Sequence, residues 1–305
     1  ELAGGAALEA HRVGLAAAVD LDVEAGGQRV DDRGADAVQT TGGGDKVLVG
    51  YVSTEGDADK FDRVIVASEK LPQARRRVTR DLRSDGMPLN RACATAVRLL
   101  DLGYFRIGND VYTDTNGSFG LTTLERQHVK GVSDGLRFTF VGKSGITHDM
   151  TVSDPDVTAA LQTMRARRDG TQRLLAWKDE DTTWHPLTAA EVNDYLAEVF
   201  DHELTAKDFR TWHATVHAAV SLAASPEPGD TAASQKRAIK EAVEEVSDYL
   251  GNTPTVAKSA YIDPRVIEAY EDGQTISVPA STPRKSAAAR QSDVEKAVRG
   301  LLTDD

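Results

Sequence analysis

The stretch Leu250-Gly-Asn-Thr-Pro-Thr-Val-Ala-Lys-Ser-Ala-Tyr261 predicts the end of one helix, a tight turn and a short second helix. Gly251 is suited to close the first helix, because glycine readily adopts the left-handed conformation found at helix ends. Thr253 and Pro254 are suited to the N-cap and first position of the next helix, which presents Tyr261. A tyrosine placed there is either a packed amphipathic side chain, the commoner case, or a covalent nucleophile. Other catalytic residues elsewhere in the chain are needed to decide between these two roles for Tyr261.

The length and the cysteine content limit the classes of protein. The chain has 305 residues and one cysteine, Cys93, and the length predicts about two domains. A single cysteine excludes an internal disulfide and a cysteine-based zinc site. The sequence has no apolar run long enough for a membrane span or a signal peptide. We therefore expect a cytoplasmic protein that does not bind membranes.

Charge is distributed unevenly along the chain. The formal net charge of −12 argues at face value against a polyanionic partner, because nucleic-acid binding needs clustered Lys and Arg. Residues 61–150, however, hold 14 basic and 10 acidic residues, whereas residues 1–60 hold 5 basic and 12 acidic ones. Within the basic block, a cluster of arginines is either a solvated helix face or a face that contacts phosphates: Arg75, Arg76, Arg77, Arg80 and Arg83.

The spacing of apolar residues predicts a mainly α fold with small β-hairpins, an α+β class. Between Lys60 and Ser84 it predicts two helices, broken near Pro72. Alternation on both sides of Gly142-Lys-Ser-Gly145 predicts a hairpin with Lys143 at its turn. A second hairpin is predicted at 174–186, and further helices at about 88–103, 155–168, 188–200, 205–224 and 232–250.

Two patterns suggest a metal site and a nucleotide-binding loop, but each lacks a residue that such a site requires. His213 and His217 have metal-ligand spacing on one helix, but no third ligand of matching register follows, and we predict no metal site. Gly142-Lys-Ser144 resembles part of a phosphate-binding loop. Arg137 occupies the position where such a loop needs its first glycine, so the nucleotide-binding interpretation fails.

Five residues remain that together suit attack on a phosphodiester without a metal ion: Arg106, Lys143, Arg210, Asn252 and Tyr261. The two arginines can neutralise charge on the non-bridging oxygens, and the amide can donate to them. The lysine can protonate the departing oxygen, and the phenol can form the covalent link. Nothing in the set would activate water.

Five motifs occur in order along the chain: Phe105-Arg-Ile-Gly-Asn109, Asn116-Gly-Ser-Phe-Gly-Leu-Thr-Thr-Leu124, Gly142-Lys-Ser-Gly145, Lys207-Asp-Phe-Arg-Thr-Trp212 and Leu250-Gly-Asn-Thr-Pro254, which leads to Tyr261. In this combination the chain resembles the type IB DNA topoisomerases of the compact bacterial and poxvirus kind. The resemblance implies a catalytic domain of the tyrosine-recombinase and type IB topoisomerase fold. It also implies an enzyme that relaxes supercoiled DNA through a transient 3′-phosphotyrosyl bond, without ATP, metal or other cofactor.

The resemblance also implies roles for individual residues. Tyr261 would be the nucleophile, Arg106 and Arg210 would hold the scissile phosphate, and Lys143 would act as general acid from its hairpin. Lys207 would be a supporting basic contact. Arg75, Arg76 and Arg80 are the further DNA contacts that we predict from the arginine cluster. The implied partner is double-stranded DNA, bound by a monomeric, nucleoid-associated protein.

Two departures from the family pattern stand out. Many relatives carry a histidine nine residues before the tyrosine, where this chain has Asn252, which can donate a hydrogen bond but cannot carry a proton. The family's N-terminal clamp domain is also not recognisable: residues 1–59 form an atypical N-terminal region, which we predict to be poorly ordered. Residues 60–272 are the predicted catalytic domain, and 273–305 a linker with a short C-terminal helix. A tyrosine recombinase and a DNA-binding remnant without its clamp remain the alternatives.

Overall fold

The computed structural model describes residues 55–102, 105–108, 117–200, 204–225, 231–277 and 287–303. Residues 1–54 of the predicted atypical N-terminal region therefore lie outside the described residues. Its last residues, from Glu55 to Asp59, belong to the first helix, so the boundary predicted between residues 59 and 60 falls inside a helix.

The described residues form a mainly helical protein with two small antiparallel sheets, which confirms the predicted fold class. The helices are α1 (Glu55–Leu82), α2 (Leu89–Leu100), α3 (Pro155–Ala166), α4 (Ala189–Phe200), α5 (Ala206–Ala224), α6 (Ala232–Leu250), α7 (Pro254–Ala260), α8 (Pro264–Glu271) and α9 (Ala287–Thr303). The strands are β1 (Val129–Val132), β2 (Gly135–Val141), β3 (Thr147–Val152), β4 (Ala176–Lys178) and β5 (Trp184–Pro186). Of the helices described, none combines the length and apolar character that a bilayer crossing needs.

Helix α1 runs without interruption through Pro72, so the prediction of two helices is wrong. A proline inside a helix costs about 3 kcal/mol, because it removes a backbone hydrogen bond and clashes with the preceding turn. Burial on both sides offsets that cost: Leu71, Ala74 and Val78 are each 3% exposed and pack in the core. The apolar stripe therefore holds one helix against α2, α4 and α5.

The three-stranded sheet has the order β1-β2-β3 and carries the hairpin with Lys143. The predicted hairpin is confirmed by the antiparallel pairing of β2 with β3, in which Phe140 faces His148. Side chains of β2 alternate between buried and exposed, so Leu136, Phe138 and Phe140 join the core. Strand β1 was not predicted, because its four residues, Val-Lys-Gly-Val, are too few to establish an alternation.

A buried ionic cluster joins the first and last helices of the described chain. The guanidinium of Arg75 donates to both oxygens of Asp101, at 2.7 and 2.8 Å, and to both oxygens of Glu295 in α9, at 2.8 Å each. The Arg75 side chain is 18% exposed and that of Glu295 2%. Arg299 of α9 also donates to the carbonyl oxygen of Ser68. The predicted C-terminal helix thus packs into the main core.

This cluster speaks against the prediction that Arg75 contacts DNA, because two carboxylates already bind its guanidinium. Burial alone would raise the pKa of Asp101, but the charge and hydrogen bonds of Arg75, with those of His213, hold it well below its usual range. Asp101 follows the end of α2, and Tyr249 of α6 donates to the next carbonyl, that of Leu102, at 2.6 Å. The cluster therefore fixes the chain shortly before Arg106.

We predict that Arg75→Met destabilises the fold by about 3–5 kcal/mol, because it leaves two buried carboxylates without their cation. Urea denaturation at pH 7 measures the difference. The matched control is Arg76→Met on the exposed side of α1, which should change stability by less than about 0.5 kcal/mol.

The stability that comes from Asp101 should depend on pH. Its folded-state pKa is lowered, so this contribution is complete above the ordinary value near 3.9 and is lost as the pH falls toward the folded value. An Arg75→Met variant as stable as the wild type at pH 7 would contradict the assignment.

Candidate active site

Tyr261 lies where the sequence predicts it, at the end of the short helix α7. Thr253 caps that helix by accepting a hydrogen bond from the amide of Val256, and Pro254 occupies its first turn. Tyr261 is the residue at the C-terminal end, half-buried, and its amide donates to the carbonyl of Ala257 at 3.1 Å. The phenol is thereby held by the backbone of α7.

Arg210 lies against the ring of Tyr261. Its guanidinium carbon is 5.5 Å from the ring centroid, and the residue is only 3% exposed. One of its terminal nitrogens donates to the carbonyl oxygen of Leu250 at 2.6 Å. Burial, followed by the nearby charge of Arg106, lowers the pKa of Arg210 to about 10, so the group stays cationic at neutral pH.

The first turn of α5, which presents Arg210, is fixed by a buried carboxylate. Asp208 accepts from the amide and the hydroxyl of Thr205, at 2.8 Å each, which closes the N-terminus of α5. Its other oxygen binds Arg63 of α1 at 3.0 Å. Lys207, in the same turn, is exposed to solvent.

Arg106 reaches the same helix end from the other side. Its backbone carbonyl accepts from the amide of Leu121 at 2.7 Å, and Phe105 before it is fully buried. The terminal nitrogen Nη2 donates to the carbonyl of Gly251 at 3.0 Å and to Oδ1 of Asn252. Burial lowers the pKa of Arg106, although Tyr261 opposes that shift. Its buried Nε has no hydrogen-bond partner among the described residues.

Asn252 supplies a donor to this cluster. Gly251, with φ 60° and ψ 49°, is the left-handed residue that ends α6. Its amide donates to the carbonyl of Asp248, and that of Asn252 to the carbonyl of Ser247, which is the Schellman arrangement. The left-handed position is thus filled by glycine. Because Oδ1 of Asn252 accepts from Arg106, its Nδ2 faces the other way; that nitrogen is buried and has no partner within the described part of the chain.

Lys143 lies at the exposed tip of the β2–β3 hairpin, in the short turn Lys143–Gly145. Ser144 has a positive φ of 64°, and the amide of Gly142 closes the turn by donating to the carbonyl of Ile146 at 2.8 Å. The structure therefore brings Arg106, Arg210, Asn252 and Tyr261 together. Lys143 is carried on a neighbouring, solvent-exposed loop.

His148 is a residue of this site that the sequence analysis missed. Its ring stacks on Phe140, with centroids 5.0 Å apart and planes at 19°. Burial, then the charges of Arg106 and Arg210, lower its pKa to about 4, so the ring is neutral at pH 7. The available signal was its position in β3, directly opposite Phe140 in the hairpin.

The other predicted DNA contacts lie on the surface of α1, and the two histidines of α5 contact different residues. Arg76 and Arg80 are exposed on α1, in contrast to Arg75. His213 lies 3.3 Å from an oxygen of Asp101, whereas His217 packs on the ring of Tyr249 with centroids 5.0 Å apart. The two histidines therefore have separate partners.

Comparison with known proteins identifies the family of the chain. The family described as "Eukaryotic DNA topoisomerase I, catalytic core" matches residues 51–278. The chain is 24% identical over 233 residues to the DNA topoisomerase 1B of Acanthamoeba polyphaga mimivirus, covering 71% of this chain and 66% of that protein. With the DNA topoisomerase 1B of vaccinia virus (strain Copenhagen) it shares 19% over 205 residues, 67% of this chain and 62% of that protein.

A plant relative matches a smaller part of its own length. The DNA topoisomerase 1 beta of Arabidopsis thaliana is 27% identical over 208 residues, which cover 67% of this chain and 21% of that protein. The chain thus spans less than two thirds of each of these relatives. The family match covers most of the chain, and the chain belongs to the type IB DNA topoisomerase family. The resemblance of the five motifs is thereby confirmed.

Proposed function

We propose that this protein relaxes supercoiled double-stranded DNA by cutting and rejoining one strand through Tyr261. The observation that carries the proposal is the placement of two guanidinium groups, those of Arg106 and Arg210, at adjacent carbonyls of one helix end and beside the phenol. A phosphodiester carries one negative charge, so two fixed cations next to a nucleophile suit attack on phosphorus. Membership of the type IB family supports the same conclusion.

In the proposed reaction, the phenol of Tyr261 loses its proton to solvent and its oxygen attacks the phosphorus. A 3′-phosphotyrosyl bond forms while the bond to the 5′ oxygen breaks, and Lys143 gives a proton to that departing oxygen. The freed 5′-hydroxyl strand rotates and then attacks the phosphotyrosine, which reverses both steps. One phosphate ester replaces another, so the reaction needs no ATP, and three side-chain cations supply the charge that a metal ion would bring.

The electrostatics of the free protein favour phosphate binding. Two like charges are held at one helix end; burial lowers the pKa of both guanidinium groups, and the charge of Arg106 lowers the pKa of Arg210 further. An anion between Arg106 and Arg210 would remove that repulsion. The Nδ2 of Asn252, which no described residue binds, would donate to a non-bridging oxygen of the same phosphate. Exposed Lys207, Arg76 and Arg80 would contact flanking phosphates.

We also propose that the protein acts as a monomer in the cytoplasm, associated with the nucleoid. The reducing compartment is supported by the single cysteine, Cys93, which is buried rather than paired. Relaxation of plasmid DNA separates the functional alternatives. A topoisomerase relaxes any supercoiled plasmid, a tyrosine recombinase requires its own sites, and a DNA-binding remnant relaxes none.

We predict that wild-type protein relaxes a supercoiled plasmid in EDTA without nucleotide, and that Tyr261→Phe does not. The substitution removes only the phenolic oxygen, so DNA affinity should change by less than about twofold, while the protein-linked strand disappears from a denaturing gel. Tyr195→Phe, which removes a hydroxyl that donates to Asp81 of α1 and not to a residue of the site, is the control and should still form the adduct. A covalent adduct in Tyr261→Phe would remove this residue as nucleophile.

We predict that Lys143→Ala slows strand cleavage by about 10²–10⁴-fold, the usual contribution of a general acid, with little effect on binding. A substrate with sulfur in the 5′ bridging position should restore most of that loss, because a thiolate leaves without a proton. Single-turnover cleavage of the two substrates measures both effects. Lys130→Ala in the same sheet is the control. Equal slowness on oxygen and sulfur would remove the general-acid role.

We predict that Asn252→Ala slows cleavage by about 100-fold, since losing one preorganised donor costs on the order of 3 kcal/mol. Asn252→His should restore most of the rate. Asn252→Gly tests whether Asn252 donates a hydrogen bond to the phosphate or only ends the helix. Gly251 already occupies the left-handed position, so a glycine at 252 should bring no benefit, and the variant should be as slow as Asn252→Ala. A nearly normal Asn252→Gly rate would mean that Asn252 only ends the helix.

A further inference from the structure

A stack of three aromatic rings joins the Arg106 segment to the Lys143 hairpin. Phe105, which precedes Arg106, lies parallel to Phe140 of β2, with centroids 6.0 Å apart and planes at 13°. Phe140 in turn stacks on His148 of β3 at 5.0 Å. The imidazole is therefore the last ring of a stack that begins next to a phosphate-binding arginine.

The edge of the imidazole that carries Nε2 lies against two glycines. A β-carbon on Gly142 would lie 2.7 Å from Cδ2 and Nε2 of His148, and one on Gly251 would lie 2.9 Å from Cε1. Real side chains do not approach so closely, so the ring occupies space that exists only because both residues are glycine. Gly142 immediately precedes Lys143, and the carbonyl of Gly251 binds Arg106.

We propose that His148 is a positioning residue for the general acid: its imidazole, wedged between Gly142 and Gly251, fixes the Lys143 turn against the end of α6 that holds the arginines. The inference rests on the proposed role of Lys143 in protonating the 5′ oxygen. Transfer of a proton needs the lysine within hydrogen-bond reach of that oxygen, and Lys143 itself sits on an exposed loop. The ring supplies the tightest contact of the hairpin with Gly251, and Ile146 lies next to the same glycine.

The charge state of the ring fits packing rather than proton transfer. With a pKa lowered to about 4 by burial and by Arg106 and Arg210, His148 carries no proton to donate as an acid at pH 7. Another flat aromatic ring without titratable atoms, such as the somewhat larger phenyl group, should therefore serve if the hairpin adjusts to its size. This separates His148 from the histidine that many relatives have at the place of Asn252.

The test compares His148→Ala and His148→Phe with wild type on duplexes carrying oxygen or sulfur at the 5′ bridge. Displacing a reacting group by about 1 Å can cost on the order of 100-fold, so His148→Ala should cleave the oxygen substrate about 10–100 times more slowly. On the sulfur substrate it should come within about threefold of wild type, and His148→Phe should do so on both. His185→Ala, which removes a histidine stacked on Trp177 in the β4–β5 hairpin, is the matched control.

Gly142→Ala gives a second, independent variant. Its φ of −95° suits alanine, so the only consequence should be the displaced imidazole, and it should reproduce the slow cleavage and the rescue by sulfur. In the double variant Gly142→Ala/His148→Ala, the removed ring makes room for the methyl group. The two losses should therefore be less than additive.

The outcomes separate this inference from the proposed function. If Lys143→Ala, run in parallel, is not rescued by sulfur, the general-acid role fails and the positioning role fails with it. If Lys143→Ala is rescued but His148→Ala and Gly142→Ala are equally slow on both substrates, only the positioning role fails. A His148→Phe variant as slow as His148→Ala would also overturn it, because an aromatic ring at this position would then not be sufficient to place Lys143.

Discussion

The end of helix α6 is the element on which the site depends. The last carbonyls of a helix have no partner within it and carry partial negative charge from the helix dipole. The Schellman turn uses the amides of Gly251 and Asn252 for the carbonyls of Asp248 and Ser247. The carbonyls of Leu250 and Gly251 remain available, and they bind Arg210 and Arg106. One turn thus ends a helix and anchors both arginines.

This arrangement places two like charges at one partly buried helix end, where each guanidinium group donates to a backbone carbonyl oxygen. The carbonyl oxygens and the negative end of α6 oppose the repulsion between the guanidinium groups. Burial still lowers the pKa of both arginines, and the charge of Arg106 lowers that of Arg210 further. Neutralising them with a protein carboxylate would stabilise the fold, yet it would also occupy the place of the phosphate. Arg75, which two carboxylates bind, has a structural role, whereas the role that we propose for Arg106 and Arg210 is to bind phosphate.

The sequence predicts those features of the structure that depend on contacts between neighbouring residues. The helix end, turn and short helix from Leu250 to Tyr261 were predictable, because each step follows from a neighbouring glycine, threonine or proline. That Arg75 points toward the core could partly be predicted from the sequence, because it lies four residues after Leu71 and three before Val78, on the buried face of α1. Its partner Glu295 could not be predicted, because it lies 220 residues away in the sequence. The continuous helix through Pro72 and the place of His148 likewise depend on packing between distant segments.

The contact between α9 and Arg75 has a consequence for the order in which the chain is made. A ribosome completes Arg106, Lys143, Arg210, Asn252 and Tyr261 before it reaches Glu295. Until α9 has been synthesised, two of the hydrogen bonds that Arg75 donates have no acceptor, although Asp101 already takes the other two. Unsatisfied donors at a buried position weaken a core, so the nascent chain would hold every residue of the site on an incompletely stabilised scaffold. Helix α9 is therefore the part of the scaffold that is made after all five of these residues and that completes the hydrogen bonding of Arg75.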